Sequence, residues 1–156
     1  MPTGSATDPV LYEEKLWPAP WIWIVVAGAA VASVFTFIPI SIGAGIAAAV
    51  VVAAILTTLL VLSTPSIRVT ATELQVGRAQ IERKYLGPVE AYSGAEATEQ
   101  RGPKLHGKAY LCIRGWISPV VRIRIDDPED PVPYWLTSTR RPEQLKAVLT
   151  APVEGA

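Results

Sequence analysis

Asp126-Asp127-Pro128-Glu129-Asp130-Pro131 packs four carboxylates into six residues. Such an oxygen-rich stretch has the ligand chemistry for calcium or magnesium. It lacks the alternation and glycine of a calcium loop, and two Asp-Pro steps suit a tight exposed turn instead. An enzyme acting on a membrane-bound substrate would have to draw on Asp126, Asp127, Asp130, Arg140 and Arg141, with the two arginines neutralising the carboxylates if strand pairing brings them near. His106 is the only histidine and Cys112 the only cysteine. Neither has a neighbouring partner in the sequence for metal binding or nucleophilic catalysis, so exposure is expected for His106 and packing for Cys112. Arg114, Arg122 and Arg124 each oppose the apolar positions of an expected strand and would share one sheet face. That face would meet anionic lipid headgroups or a small ligand, or else stand in solvent balanced by Asp and Glu. No phosphate loop, nucleophile elbow, zinc spacing or dinucleotide fingerprint occurs. The expectation is a non-enzymatic protein without cofactor or metal site.

The elements that must position these residues divide sharply by composition. No charge interrupts the chain from Leu16 to Ile67, and within it Trp21–Ile38 and Ala44–Leu62 form two uncharged runs of eighteen and nineteen residues. As helices they would be roughly 27–29 Å long, close to the ~30 Å hydrocarbon thickness of a bilayer. Neither has the polar stripe of a soluble helix. Trp17, Trp21 and Trp23 fall where an interfacial aromatic belt would anchor the first run. Small residues recur at helical spacing (Gly28 with Ala32, Gly45 with Ala49), as close packing in lipid requires, and a second such face would suit a homo-oligomer. With no ionisable residue inside either run, an ion or proton path is not expected. Lys15 precedes the first run and Arg68, Arg78, Arg83 and Lys84 follow the second, whereas the connection between them carries no basic residue. The expected orientation therefore has both termini in the cytoplasm. A cleaved signal peptide would need a more basic start and a shorter apolar core.

After Leu62 the period changes to two. Thirteen basic residues stand against eleven acidic ones there, too balanced for a nucleic-acid partner. Short strands are expected around Ile67–Ala71, Leu74–Val76, Ala79–Ile81, Leu86–Tyr92, Ala109–Arg114, Pro119–Asp126 and Pro133–Ser138. Thr72-Glu73 and Gly77-Arg78 read as tight turns, Ser93–Lys108 as a mobile polar loop, and Arg141–Thr150 as a closing helix with Pro142 in its first turn. Met1–Val10 reads as a polar disordered tail. The fold class is then an α+β membrane protein. A two-helix transmembrane hairpin precedes a small antiparallel β domain, a bent sheet or partly open barrel, with a C-terminal helix. The domains are a cytoplasmic tail over residues 1–18, the hairpin over 19–64 and a cytoplasmic β-rich domain over 65–156.

Four stretches carry a family resemblance: Tyr12-Glu13-Glu14-Lys15-Leu16-Trp17, Val76-Gly77-Arg78-Ala79, Ala109-Tyr110-Leu111, and the long run from Asp127 to Leu145. In these the chain resembles a family of small actinobacterial membrane proteins known only as a domain of unknown function. The resemblance implies a two-span protein of a Gram-positive plasma membrane and brings no catalytic residues. The order of strands then helix is also similar in pattern to bacterial pleckstrin-homology-like domains. The function expected is an adaptor or scaffold at the inner leaflet, with the bilayer and an unidentified protein as partners. The alternatives are the headgroup or ligand module and the enzyme described above.

Overall fold

The computed structural model describes residues 8–152. Of the expected polar tail, residues 1–7 lie outside the described residues. The chain divides into two compact units, one of residues 1–16 with 65–156 and the other of residues 17–64.

The first unit is α+β. Its eight strands are β1 (Val10–Lys15), β2 (Ser66–Thr70), β3 (Glu73–Val76), β4 (Ala79–Glu82), β5 (Leu86–Tyr92), β6 (Tyr110–Cys112), β7 (Val120–Ile125) and β8 (Tyr134–Ser138). They form two four-stranded sheets, ordered β1-β2-β3-β4 and β5-β7-β8-β6, where one bent sheet or partly open barrel was expected. Pairing is antiparallel except between β6 and β8, which run parallel with β7 intervening in sequence. The two sheets share one core. Tyr12, Leu16, Ile67, Val69, Leu74, Val76 and Ile81 come from the first sheet, and Val89, Cys112, Val121, Ile123, Ile125 and Trp135 from the second. Helix α4 (Pro142–Thr150) adds Leu145 and Leu149.

Two stretches depart from the sequence reading. Val10–Lys15, placed there in an N-terminal tail, is an edge strand paired with β2, with Glu13 opposite Arg68 and Lys15 opposite Ser66. The cause is its own alternation: Tyr12, Glu14 and Leu16 point inward and are buried. Within the expected loop Ser93–Lys108, Gly94–Arg101 forms helix α3. Its Ala97 packs with Val120, Tyr134 and Leu136 on the other face of the second sheet. Every residue of β8 is therefore buried. The Gly77-Arg78 turn is as expected. Val76 pairs with Ala79, and Gly77 at φ 59° takes the left-handed position that opens a two-residue hairpin loop.

The second unit is a helical hairpin of α1 (Pro20–Phe37) and α2 (Ile42–Leu62), both long and apolar enough to cross a membrane. None of the most apolar stretch of α1, and 6% of that of α2, is buried within the molecule, unlike the core helix of a soluble protein. Ser41 caps α2 by accepting a hydrogen bond from the Ala44 N–H at 3.0 Å. The helices approach closely at Gly45, where a Cβ would stand 3.0 Å from the Val34 carbonyl oxygen.

Candidate functional site

Of the first unit's features, a buried carboxylate stands out. Glu14 is 6% exposed. Its Oε2 accepts the Tyr12 hydroxyl at 2.6 Å and the Thr139 hydroxyl, and its Oε1 accepts the Arg140 backbone N–H at 2.8 Å. Three donors satisfy the charge that burial would otherwise penalise. The Arg141 guanidinium lies 4.8 Å from the centre of the Tyr12 ring and donates to the Glu13 carbonyl at 3.1 Å. Strand β1 is thus clasped to the segment that opens α4. A carboxylate so fully engaged fixes the chain.

Burial, and next the neighbouring Glu14 carboxylate, push the Tyr12 phenol up from 10.0 to about 12. The folded state thus holds the phenolic proton more tightly than the unfolded chain, so stability is intact below pH 10 and falls as pH rises toward 12. Over that window the loss attributable to Tyr12 is at most about 3 kcal/mol. Thermal unfolding measured against pH, with phenolate absorbance, will show this alkaline decline, and Tyr12→Phe will remove it.

The residues singled out by sequence fall in separate places. Arg122 and Arg124 do share a face of β7. Arg122 stands opposite Glu90 and lies 4.5 Å from the centre of the Tyr134 ring, while Arg124 pairs with Asp126 at 3.1 Å. Arg114 follows β6, where its N–H donates to the Ser138 hydroxyl at 3.0 Å and its guanidinium to the Ile113 carbonyl. Asp127 and Asp130 each accept a nearby backbone N–H at 2.9 Å, from Glu129 and Val132, in the turn before β8. Arg140 and Arg141 follow the other end of β8. The five residues of β8, roughly 17 Å of strand, lie between the two groups.

His106 is exposed, and its Nδ1 accepts the Lys108 N–H at 3.2 Å. Cys112 is buried, which pushes its thiol pKa up. Trp21 and Trp23 lie in the first turn of α1 with Trp17 just before it, and all three are exposed. An open groove of about 350 Å³ is lined by Glu73, Gln80, Ile81, Glu82, Tyr85 and Asp127. Lys84 already neutralises Glu82 there at 2.9 Å and lies over the Tyr85 ring. Among the described residues no His, Cys, Asp and Glu gather into a group able to hold a metal ion.

Sequence reasoning missed two polar residues. Glu14 was signalled by its place between Tyr12 and Leu16 on one face of an alternating strand. Arg83, buried at 8% exposure, gave no local signal, because its partners come from the other end of the chain.

The four stretches on which the resemblance rests meet in two pairs. Tyr12 and Glu14 bond Thr139 and Arg140, and the Tyr110 hydroxyl donates to the Val76 carbonyl at 3.1 Å. A family model described as "Protein of unknown function (DUF3093)" matches residues 11–149. No curated protein and no solved structure matches the chain.

Proposed function

The chain belongs to the DUF3093 family of proteins of unknown function, and from that premise we propose that it is a membrane-anchored, non-enzymatic adaptor or scaffold. Its β-rich unit would work at the inner leaflet of a bacterial plasma membrane. One observation carries the reading: the apolar hairpin interrupts the chain between two paired strands. β1 leads into it and β2 leads out of it. The Leu16 N–H donates to the Pro65 carbonyl at 3.0 Å, so the two flanks of the hairpin are neighbours. Strands in one sheet lie on one side of a bilayer, and a segment between them must cross an even number of times. Two spans satisfy this.

The all-round apolar surface of α1 and α2 supports the same reading, since water would leave it unsolvated. Basic residues support the cytoplasmic side: Lys15, Arg68 and Arg78 flank the hairpin and its short connection has none. The headgroup module built on Arg114, Arg122 and Arg124 is the second reading. It has to work against Glu90 and Asp126, which already face two of those arginines. The pleckstrin-homology-like comparison remains one of pattern, strands closed by a terminal helix. Homo-oligomers would use small-residue faces such as that around Gly28, where a Cβ would meet nothing within 4 Å.

Alkaline carbonate extraction with protease protection tests the placement. The full-length chain will stay with the membrane pellet, and its β-rich unit will be cut in inverted vesicles but not from outside intact cells. Release into the supernatant would overturn the anchor, and cleavage from outside would overturn the orientation. Cross-linking in native membranes then tests the adaptor role. A protein recovered in fixed stoichiometry supports it, and recovery of lipid alone does not.

A further inference from the structure

Strand β4 ends the first sheet with backbone groups that no neighbour takes up. It closes the order β1-β2-β3-β4, with β3 on one side and, among the described residues, no strand on the other. Val76 and Ala79 flank a two-residue loop, so they exchange ladder bonds with each other, and so do Leu74 and Ile81. The N–H and C=O of Gln80 and the N–H of Glu82 therefore turn away from β3. Beside them lies the open groove of about 350 Å³ whose walls include Glu73, Ile81, Tyr85 and Asp127. Glu73 stands directly opposite Glu82 in the ladder, an arrangement of like charges that costs stability. Lys84 offsets Glu82. Among the described residues, Glu73 and Asp127 meet neutral donors instead, the Gln80 amide and the Glu129 backbone N–H.

We infer that this edge takes up an extended segment of a partner protein carrying Lys or Arg at alternate positions. The segment pairs with Gln80 and Glu82 as a fifth strand of the sheet. Side chains recur on one face of a strand about 7 Å apart, so its basic residues lie on the face of Glu73 and Glu82. The apolar residues between them turn to the face of Ile81. Asp127, on the wall of the same groove, adds to the negative field that draws the segment in. Charge decides the occupant. A second copy of β4 paired there would double the carboxylates on one surface, and charged edges are a means by which proteins block self-pairing. The inference deepens the adaptor reading by giving the partner a chemistry. It rests on that reading for its role, and on the β-rich unit alone for its geometry.

The test titrates the full-length chain, in nonionic detergent, against a short fluorescein-labelled peptide that alternates lysine with valine. Fluorescence anisotropy will show binding. Glu73→Gln combined with Asp127→Asn will raise Kd about tenfold, the equivalent of about 1.4 kcal/mol for two exposed charges. Glu129→Gln, in the same turn as Asp127 but not lining the groove, will leave Kd unchanged. Gln80→Pro removes an N–H that the ladder does not use and will abolish binding, as will N-methylation of alternate residues in the peptide. Equal binding by the N-methylated peptide, or equal weakening by Glu129→Gln, would reduce the effect to diffuse charge attraction and overturn the edge. Absence of binding by the lysine peptide would overturn it too. Dimerisation of the chain that Gln80→Pro abolishes would assign the edge to a second copy and overturn the partner. A partner cross-linked in native membranes without peptide binding would overturn this edge and leave the adaptor reading standing. Peptide binding without such a partner would support the edge and count against the adaptor role.

Discussion

A chain cut to residues 65–156 will not hold a native fold. It loses β1, and with it Tyr12 and Leu16 from the core and the Glu14 clasp on Thr139 and Arg140. Removing a large buried side chain costs about 2–5 kcal/mol, so the combined loss is on the order of 5–10 kcal/mol. The total stability of a domain this size is only about 5–15 kcal/mol. The cut also bares the pairing edge of β2, which invites aggregation. Rejoining residues 8–16 to 65–152 through a short Gly-Ser linker in place of the hairpin will restore a cooperative fold in plain buffer, because Leu16 and Pro65 are already hydrogen-bonded neighbours. Circular dichroism on heating distinguishes the two. A cooperative transition in the 65–156 fragment, matching that of the linked version, would show that β1 is dispensable.

Replacing Arg83 by Met in that linked version will lower stability by about 3 kcal/mol, which for roughly a hundred residues moves Tm down by about 10–20 °C. The Arg83 guanidinium donates to the carbonyls of Val148 at 2.8 Å and of Leu149 and Ala151 at 3.4 Å. Its second nitrogen donates to the Thr70 carbonyl at 3.2 Å. One side chain therefore ties the C-terminal end of α4 to the end of β2, and its charge meets the negative end of the helix dipole. Burial lowers the guanidinium's pKa, but an arginine remains charged. Arg83→Lys will recover less than half of the loss, because a single ammonium cannot span both carbonyl sets. Equal melting of wild type and Arg83→Met would place the fastening of α4 in Leu145 and Leu149 instead.

Local signals account for what was legible in the chain. Alternation in Val121, Ile123 and Ile125 against Arg122 and Arg124 marked β7, Gly77-Arg78 marked the β3–β4 turn, and Pro142 with Leu145 and Leu149 marked α4. The two apolar helices were plain from length and the absence of charge. What escaped depended on distant partners. The Glu13-Glu14-Lys15 run masked the alternation of β1, whose reason for being a strand lies in residues 66–70. Helix α3 shows only Ala97 and Gln100 to the interior, too little for an apolar stripe. The run Pro133–Ser138 marked a strand, but its burial on both faces depends on Ala97 of the distant helix α3. Candidate chemistry was legible only as residue types. That Asp127 and Asp130 sit at one end of β8 and Arg140 and Arg141 at the other depends on the strand between them.

The clasp on Glu14 also imposes a timetable on biosynthesis. Thr139, which bonds it, is made 125 residues later. At about 5–20 residues per second a ribosome takes roughly 6–25 s to cover that distance. Throughout that interval β1 exists while the residues that clasp it are still unmade, and the greasy hairpin is made in between. Closure of the β-rich unit therefore waits until Thr139 and Arg140 have been made, well after the hairpin.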